Sequence, residues 1–334
     1  MFGLMDGSPP AFIDSRKPAD GFGPDRGQQP TSTTTYTLTT GADTIADGTG
    51  NADIVATSAT LSTGDVISPA GWHNTLTLSG AGTFDLGAPA TFSNISLVKG
   101  DASADQTITL RDGFNTNFVG GDGNDTITSL SGNDHIRVGN GNNIITAGSG
   151  NVSIMVGSGD NQITAGSGQT FVMLGSGTNT VTGSTGSLFV TATDGADTIT
   201  AGPGQTTIFT GSGSDTVNAG SGSLTIFTGR GTTTIAGGTG AETIIVGHGT
   251  TNATLSTGTD TLKIGWGTGT ANVSNFVHGI DTIDVSALHF GSYSTLVSDA
   301  TITTTSTGLT IQFAHGPTIN LVGVSSVSSS DFTF

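Results

Sequence analysis

A glycine recurs at every ninth residue over sixteen consecutive units, from Gly123 to Gly258, without an insertion. The units run from Gly120 to Lys263, with this glycine at the fourth place of each and Ile, Val or Leu at every eighth place except Ala253. A place that accepts only glycine requires a positive φ or leaves no room for a Cβ. One apolar residue in nine predicts a very short strand whose inward side chain fills a narrow core. A fixed period of this kind predicts a coiled, repetitive fold.

Composition favours the all-β class. Glycine contributes 54 of the 334 residues, Lys and Arg are rare, and Glu242 is the only glutamate, which is a poor set for helix formation. Val, Ile, Thr and Phe recur singly between clusters of Gly, Asn, Asp and Ser, as is typical of short strands joined by tight turns. The 9 prolines and the lack of a three-residue glycine period argue against collagen, and recurrent Ile, Val and Leu argue against disorder.

The units resemble the GGxGxDxUx nonapeptide of RTX proteins, as in GGDGNDTIT (120–128) and ATDGADTIT (192–200). This resemblance implies a right-handed parallel β-roll, a β-solenoid with two nonapeptides per turn. It also implies that calcium is held in the glycine-rich turns by sixth-place Asp carboxylates and turn carbonyls. We therefore expect an all-β fold with a C-terminal β cap and calcium as the cofactor.

The sixth place departs from the RTX pattern in an ordered way. Alternate units place Asp125, Asn143, Asn161, Asn179, Asp197, Asp215, Thr233 and Thr251 on one edge of the roll. The other edge carries Asp134, Val152, Thr170, Leu188, Thr206, Leu224, Glu242 and Asp260. Calcium takes about six to eight oxygen ligands, charged ones included. The candidate ligands are neighbours that keep acids: Asp197 with Asp215, Glu242 with Asp260, and Asp125 with Asn143. The alternative for each acid is a solvated turn residue, and the other Asn and Thr side chains are expected to form hydrogen-bonded ladders.

The seventh and ninth places are expected to point outward, since the eighth points into the core. On one face these places are mainly Thr, Gln and Asn. On the other face they include Met155, Phe171, Met173, Phe189, Phe209, Phe227 and Ile245, which we expect to continue through Val138, Val156, Leu174 and Val246. This apolar stripe predicts a contact with a neighbouring subunit, with Phe2, Phe12 and Phe22 as further anchors. The alternative is that residues 1–30 cover the stripe within the same chain.

Four segments are expected along the chain. These are a Pro/Gly-rich N-terminal extension (1–30), an irregular β-solenoid or cap (31–119), the nonapeptide β-roll (120–272), and a C-terminal cap with a type I secretion signal (273–334). The last sixty residues, which end in Asp331-Phe332-Thr333-Phe334, resemble the C-terminal region of RTX proteins exported by type I secretion. That resemblance implies an uncleaved export signal, read by an ABC-type channel of a Gram-negative bacterium. The N-terminus has no Sec-type signal, and no apolar stretch reaches about 18 residues, so membrane insertion is not expected.

The net charge of -17 disfavours nucleic acids and anionic membranes as partners and favours divalent cations. The sequence contains no HExxH, its six histidines are dispersed, and no GxSxG stands between a strand and a helix, so a non-enzymatic role is expected. The leading hypothesis is a calcium-stabilised structural protein, secreted to the cell surface, that self-assembles into a layer, fibre or matrix. Its partners would be its own copies and the type I secretion machinery.

Two other classes of function remain open. A surface-binding adhesin or ice-binding roll is suggested by outward Thr-x-Thr rows: Thr126/Thr128, Thr180/Thr182 and Thr198/Thr200. A secreted β-helix hydrolase or lyase would need an acid-base cluster in a groove, for which Arg111 and Asp112 are the candidates.

Overall fold

The computed structural model describes residues 32–46, 48, 50–265, 267–314 and 316–334, a region dominated by strands. The strands before the repeats are β1 (Thr33–Thr37), β2 (Thr44–Ile45), β3 (Asn51–Ala56), β4 (Val66–Ile67), β5 (Thr75–Leu78), β6 (Gly82–Asp85), β7 (Thr91–Phe92), β8 (Leu97–Lys99), β9 (Gln106–Thr109) and β10 (Asn117–Val119). The nonapeptides then supply one strand each: β11 (Thr126–Thr128), β12 (Asp134–Arg137), β13 (Ile144–Thr146), β14 (Val152–Met155), β15 (Gln162–Thr164), β16 (Thr170–Met173), β17 (Thr180–Thr182), β18 (Leu188–Thr191), β19 (Thr198–Thr200), β20 (Thr206–Phe209), β21 (Ser214–Asn218), β22 (Leu224–Phe227), β23 (Thr232–Ala236), β24 (Glu242–Val246), β25 (Thr250–Thr254) and β26 (Thr261–Ile264).

The elements after the repeats are β27 (Thr270–Ser274), β28 (Thr282–Asp284), a 3-10 helix (Ser286–Leu288), α1 (Tyr293–Asp299), β29 (Thr301–Thr304), β30 (Gly308–Gln312), β31 (Thr318–Val322), a second 3-10 helix (Ser329–Asp331) and β32 (Phe332–Thr333). Among the described residues, the helices are too short or too polar to span a bilayer.

Successive nonapeptide strands alternate between two long sheets, one of 15 strands and one of 14 strands. Within each sheet a strand pairs in parallel with the strand one turn later. Ile127 lies opposite Ile145 in the 14-stranded sheet, and Ile136 lies opposite Ile154 in the 15-stranded sheet, in each case 18 residues later. One turn is therefore two nonapeptides, which confirms the predicted β-solenoid.

Eighth-place side chains from both sheets meet in the core, where Ile127, Ile136 and Ile145 are fully buried. The first-place residues Val138, Val156, Leu174 and Val246 are also buried, at 3%, 4%, 2% and 3% exposure. The expectation that they extend an outward stripe was wrong. Alternation continues past the end of the strand, so a ninth place that points outward is followed by a first place that points inward.

The fourth-place glycines meet both predicted requirements. On one edge Gly141, Gly159, Gly177 and Gly195 adopt φ values of 114°, 125°, 125° and 133°. On the other edge the obstacle is space, since a Cβ on Gly168 would lie 2.2 Å from the carbonyl oxygen of Gly150 in the preceding turn. Turns therefore stack backbone against backbone.

The two ends of the roll differ from its middle. In the first turns the strand spacing is larger: Asp53 pairs with Thr75, which pairs with Leu97, and the extra length forms a 3-stranded parallel sheet of β2, β4 and β7. At the other end β31 pairs with β27, and β30 and β29 add antiparallel strands. Strand β32 pairs with β28 and completes the 15-stranded sheet.

Gly168→Ala is expected to destabilise the roll by about 1–3 kcal/mol, because the new methyl group clashes with a backbone oxygen that cannot move independently of its turn. Gly265→Ala is the matched control, because no described atom lies within 4 Å of its Cβ position. Denaturant unfolding in excess calcium measures both variants. Equal midpoints for the two would show that the turns are not closely stacked.

Candidate calcium sites in the turns

Sixth-place side chains on one edge point inward beneath the turn, because they precede the eighth-place core residue by two positions. Asp125, Asn143, Asn161, Asn179, Asp197 and Asp215 are all buried, with at most 3% exposure. The alternative of a solvated turn residue is therefore wrong for the acids of this column.

These side chains form a ladder along the roll axis. Each side-chain Oδ1 accepts a hydrogen bond from the backbone N–H of the sixth-place residue one turn earlier. The donors are Asp125 to Asn143 (3.0 Å), Asn143 to Asn161 (3.1 Å), Asn161 to Asn179 (3.1 Å), Asn179 to Asp197 (3.0 Å) and Asp197 to Asp215 (3.1 Å). One side-chain oxygen per turn is thus committed to the backbone.

The second side-chain atom separates the asparagines from the aspartates. Asn143 Nδ2 donates to the carbonyl of Gly141 (3.1 Å) and to Asn161 Oδ1 (2.9 Å). Asn161 Nδ2 does the same with Gly159 (3.0 Å) and Asn179 Oδ1 (2.8 Å). Both amide hydrogens are used in these turns, which are fully satisfied by protein groups.

An aspartate at the same place presents an oxygen where asparagine presents a donor. The Oδ2 atoms of Asp125, Asp197 and Asp215 are buried and have no hydrogen-bond partner in the described part of the chain. A buried carboxylate oxygen without a donor costs free energy, so these turns need either a proton or a cation.

Burial accordingly raises the pKa of the carboxyls in this column. It raises the pKa of Asp125 and of Asp215 to about 6. The pKa of Asp197 is also raised by burial, although hydrogen bonds from Asn179 oppose the shift. Near neutral pH these groups are held in a charged state that their surroundings do not neutralise.

The second predicted edge holds another buried column. Asp260 Oδ1 accepts from the backbone N–H of Glu242 (2.9 Å), and its Oδ2 accepts from the backbone N–H of Ser256 (3.0 Å). Glu242 Oε1 accepts from Gly238 N–H (3.0 Å), whereas Oε2 is buried and unpaired among the described residues. Burial, and then contact with Asp260, raises the pKa of Glu242 to about 7.

Asp281 extends this second column and was missed by the sequence reasoning. Its Oδ1 accepts from Asp260 N–H (3.1 Å), and burial raises its pKa. Asp281 lies 21 residues after Asp260, beyond the last in-register nonapeptide, but the local sequence GIDTI matches the GADTI of the regular units and could have identified it.

Calcium chemistry fits these turns through paired carboxylates and backbone carbonyls. Among the described residues no three Asp, Glu, His or Cys side chains are grouped closely enough to hold an ion together, so each ion needs turn carbonyls as well. Asp197 and Asp215 have unpaired buried oxygens in adjacent turns, and Asp125 is stacked on Asn143. A bound calcium ion would supply the positive charge that these oxygens lack.

The predicted stripe residues lie on the outer face of the 15-stranded sheet. Met155 is 40% exposed, and Phe171, Met173, Phe189, Phe209, Phe227 and Ile245 are half-buried. Phe171 stacks on Phe189 (centroids 4.7 Å apart), and Phe209 stacks on Phe227 (4.3 Å). The proposed anchors Phe2, Phe12 and Phe22 lie outside the described residues.

The fold and its turns define a parallel β-roll with calcium-ligand side chains in glycine-rich turns. Comparison with protein families agrees: the RTX calcium-binding nonapeptide repeat (4 copies) matches residues 112–145, 119–154, 138–172, 173–208 and 191–226. The chain is an RTX β-roll protein, and its repeats are of the calcium-binding type. No curated protein matches the chain.

In calcium-free solution, raising the pH from about 5 to about 8 is expected to lower the Tm. A carboxyl whose pKa is raised by folding stabilises the folded state below its unfolded pKa of about 4 and loses that contribution as the pH passes its folded pKa. For Asp125, Asp215 and Glu242 this loss falls at about pH 6 to 7. Carboxyls with a lowered pKa, such as Asp101, which accepts from Gly80 N–H, lose their contribution only in more acidic solution.

Thermal unfolding followed by far-UV circular dichroism, with EGTA or with excess calcium, measures this dependence. Calcium is expected to raise the Tm most at the alkaline end of the range. A Tm in EGTA that is constant or rises with pH would contradict the assignment of these turns as uncompensated acid sites.

Proposed function

We propose that this protein is a secreted structural protein that self-assembles into an extracellular surface layer, fibre or matrix. The observation that carries the proposal is the aromatic face, defined as Met155, Phe171, Met173, Phe189, Phe209, Phe227 and Ile245 on the outer side of the 15-stranded sheet. A contiguous apolar patch on a strongly acidic protein is typical of a protein contact, and Phe and Met are enriched at such contacts.

The aromatic face is free of charge although the chain as a whole is not. From Ser153 to Ile245 the outward seventh and ninth places of the 15-stranded sheet contain no Asp, Glu, Lys, Arg or His. The net charge of -17 is thus concentrated elsewhere, largely at the turns. Two copies that meet through this face bring together uncharged surfaces and keep their acidic turns apart.

The geometry of the face favours a second copy as the occupant. Phe171 and Phe189 are register partners, as are Phe209 and Phe227, so the rings follow the strand spacing of about 4.8 Å. An identical face presents the same spacing and the same ring chemistry, which a symmetric contact requires. Calcium in the turns would fix the length and straightness of each subunit.

Secretion is supported by the end of the chain. In the folded protein Phe332 is buried where β32 pairs with β28, and the buried Asp331 accepts from Ser328 N–H (2.7 Å) and contacts His278. A C-terminal export signal made of these residues is readable only in the unfolded chain. Calcium-dependent folding would delay its burial until the chain leaves the calcium-poor cytosol.

We propose no catalytic role. Arg111 of the alternative acid-base cluster has its guanidinium over the rings of Phe92 (5.9 Å) and Phe114 (5.2 Å), and it donates to the Pro89 carbonyl (3.1 Å). Asp112 accepts from Ser131 N–H (3.1 Å) in the next turn. These contacts give both residues a structural explanation.

A surface-binding roll is the second candidate, and one observation favours it. On the 14-stranded sheet Thr180 and Thr182 pair in register with Thr198 and Thr200, which places outward hydroxyl and methyl groups in two straight columns. A regular array of this kind suits adhesion to an ordered surface such as ice.

Phe171→Ser combined with Phe209→Ser and Phe227→Ser is expected to abolish polymers and preserve the fold, because these side chains point outward. Ile144→Ser combined with Thr180→Ser and Thr198→Ser, on the outer side of the 14-stranded sheet, is the control and should polymerise normally. Electron microscopy and sedimentation velocity in calcium measure assembly, and circular dichroism verifies folding. Unchanged polymerisation of the aromatic variant would show that assembly uses another surface. Loss of its fold would show that the aromatic face belongs to the core.

A further inference from the structure

We propose that the side-chain amides of Asn143, Asn161 and Asn179 take the place of calcium in their turns, so that ions along this column are confined to its two ends. The ends are Asp125 on one side and Asp197 with Asp215 on the other. This inference goes beyond the proposed assembly and does not depend on it.

The contacts of the amides carry the inference. In the turns of Asn143 and Asn161, Nδ2 lies between the turn's own glycine carbonyl and the side-chain oxygen of the next turn, with all four contacts between 2.8 and 3.1 Å. These are the oxygens that a cation between two turns would have to bind. Two N–H donors already point at them, so a cation would have to displace both hydrogen bonds and would face the donor side of an amide.

The aspartate turns show what happens when the donor is missing. Asp197 is one turn beyond Asn179 and follows the same register, so its Oδ2 takes the position of an amide nitrogen. That oxygen is buried and unpaired among the described residues, as are the Oδ2 atoms of Asp125 and Asp215. Their residues are 1%, 1% and 3% exposed. A site that needs a cation thus exists at each end of the column, with three saturated turns between.

The asparagine turns also have a defined direction. Asn179 Nδ2 donates to Asp197 Oδ1 (2.8 Å), so the amide series ends on a carboxylate and gains a charge-assisted hydrogen bond there. The middle of the column is thereby complete without an ion. The carboxylates at the ends provide the calcium dependence.

Asn161→Asp tests the inference directly. It should replace a donor by a second unpaired oxygen, lower the Tm in EGTA by roughly 5 °C, and recover most of that loss in calcium. Asn142→Asp is the matched control: it makes the same change of charge at the exposed neighbouring place, where the retained Oδ1 still accepts from Asp160 N–H, and its Tm in EGTA should change little.

Asp197→Asn is the complementary variant. It should extend the amide series, raise the Tm in EGTA at about pH 7.5, and reduce the number of calcium ions bound, measured by equilibrium dialysis with atomic absorption. The inference is overturned if Asn161→Asp melts like Asn142→Asp in EGTA, or if Asp197→Asn binds as many ions as the wild-type protein. A lower Tm of Asp197→Asn in EGTA would also overturn it, and this second variant decides the matter if Asn161→Asp does not fold.

Discussion

The direct stacking of one turn's backbone on the next is the constraint on which the rest of this structure depends. Where a Cβ on Gly168 would lie 2.2 Å from a carbonyl oxygen of the previous turn, only glycine permits the approach. Because every turn contains the same 18 residues in the same register, each side chain lies above a side chain of the same place. Core, ladders and outer faces therefore form as continuous columns, and a substitution at one place is felt mainly by the turns directly above and below.

Much of this arrangement could be predicted from sequence, because a fixed period translates directly into columns. The two nonapeptides per turn, the inward eighth place and the difference between the two sixth-place edges all follow from it. The error over Val138 and Val156 arose because alternation was not continued past the strand end, where both residues point inward. Asp281 and the wider first turns could not be placed by counting, since register is lost where the spacing departs from nine. The missing partner of Asp197 Oδ2 is a matter of atomic contacts, which no residue pattern specifies.

The two long sheets and the two turn edges carry different chemistry. The aromatic face has rings that stack on one another, as Phe209 does on Phe227, whereas the opposite sheet presents columns of threonine. The edges hold the buried acids, whose charges are kept away from the aromatic face. Such a division lets association and ion binding depend on separate sets of residues in one short repeat.

The asparagine turns also make the length of the roll adjustable. A turn that satisfies its own polar groups through Nδ2 and Oδ1 can follow another of its kind without changing what either neighbour requires. An 18-residue duplication within this stretch would extend both sheets and leave the first turns, the C-terminal strands and the aspartates at the ends of the column with the neighbours they have now. The spacing between the two ends of the molecule is then a quantity that evolution can change in steps of one turn, of about 4.8 Å, without creating a demand for another ion.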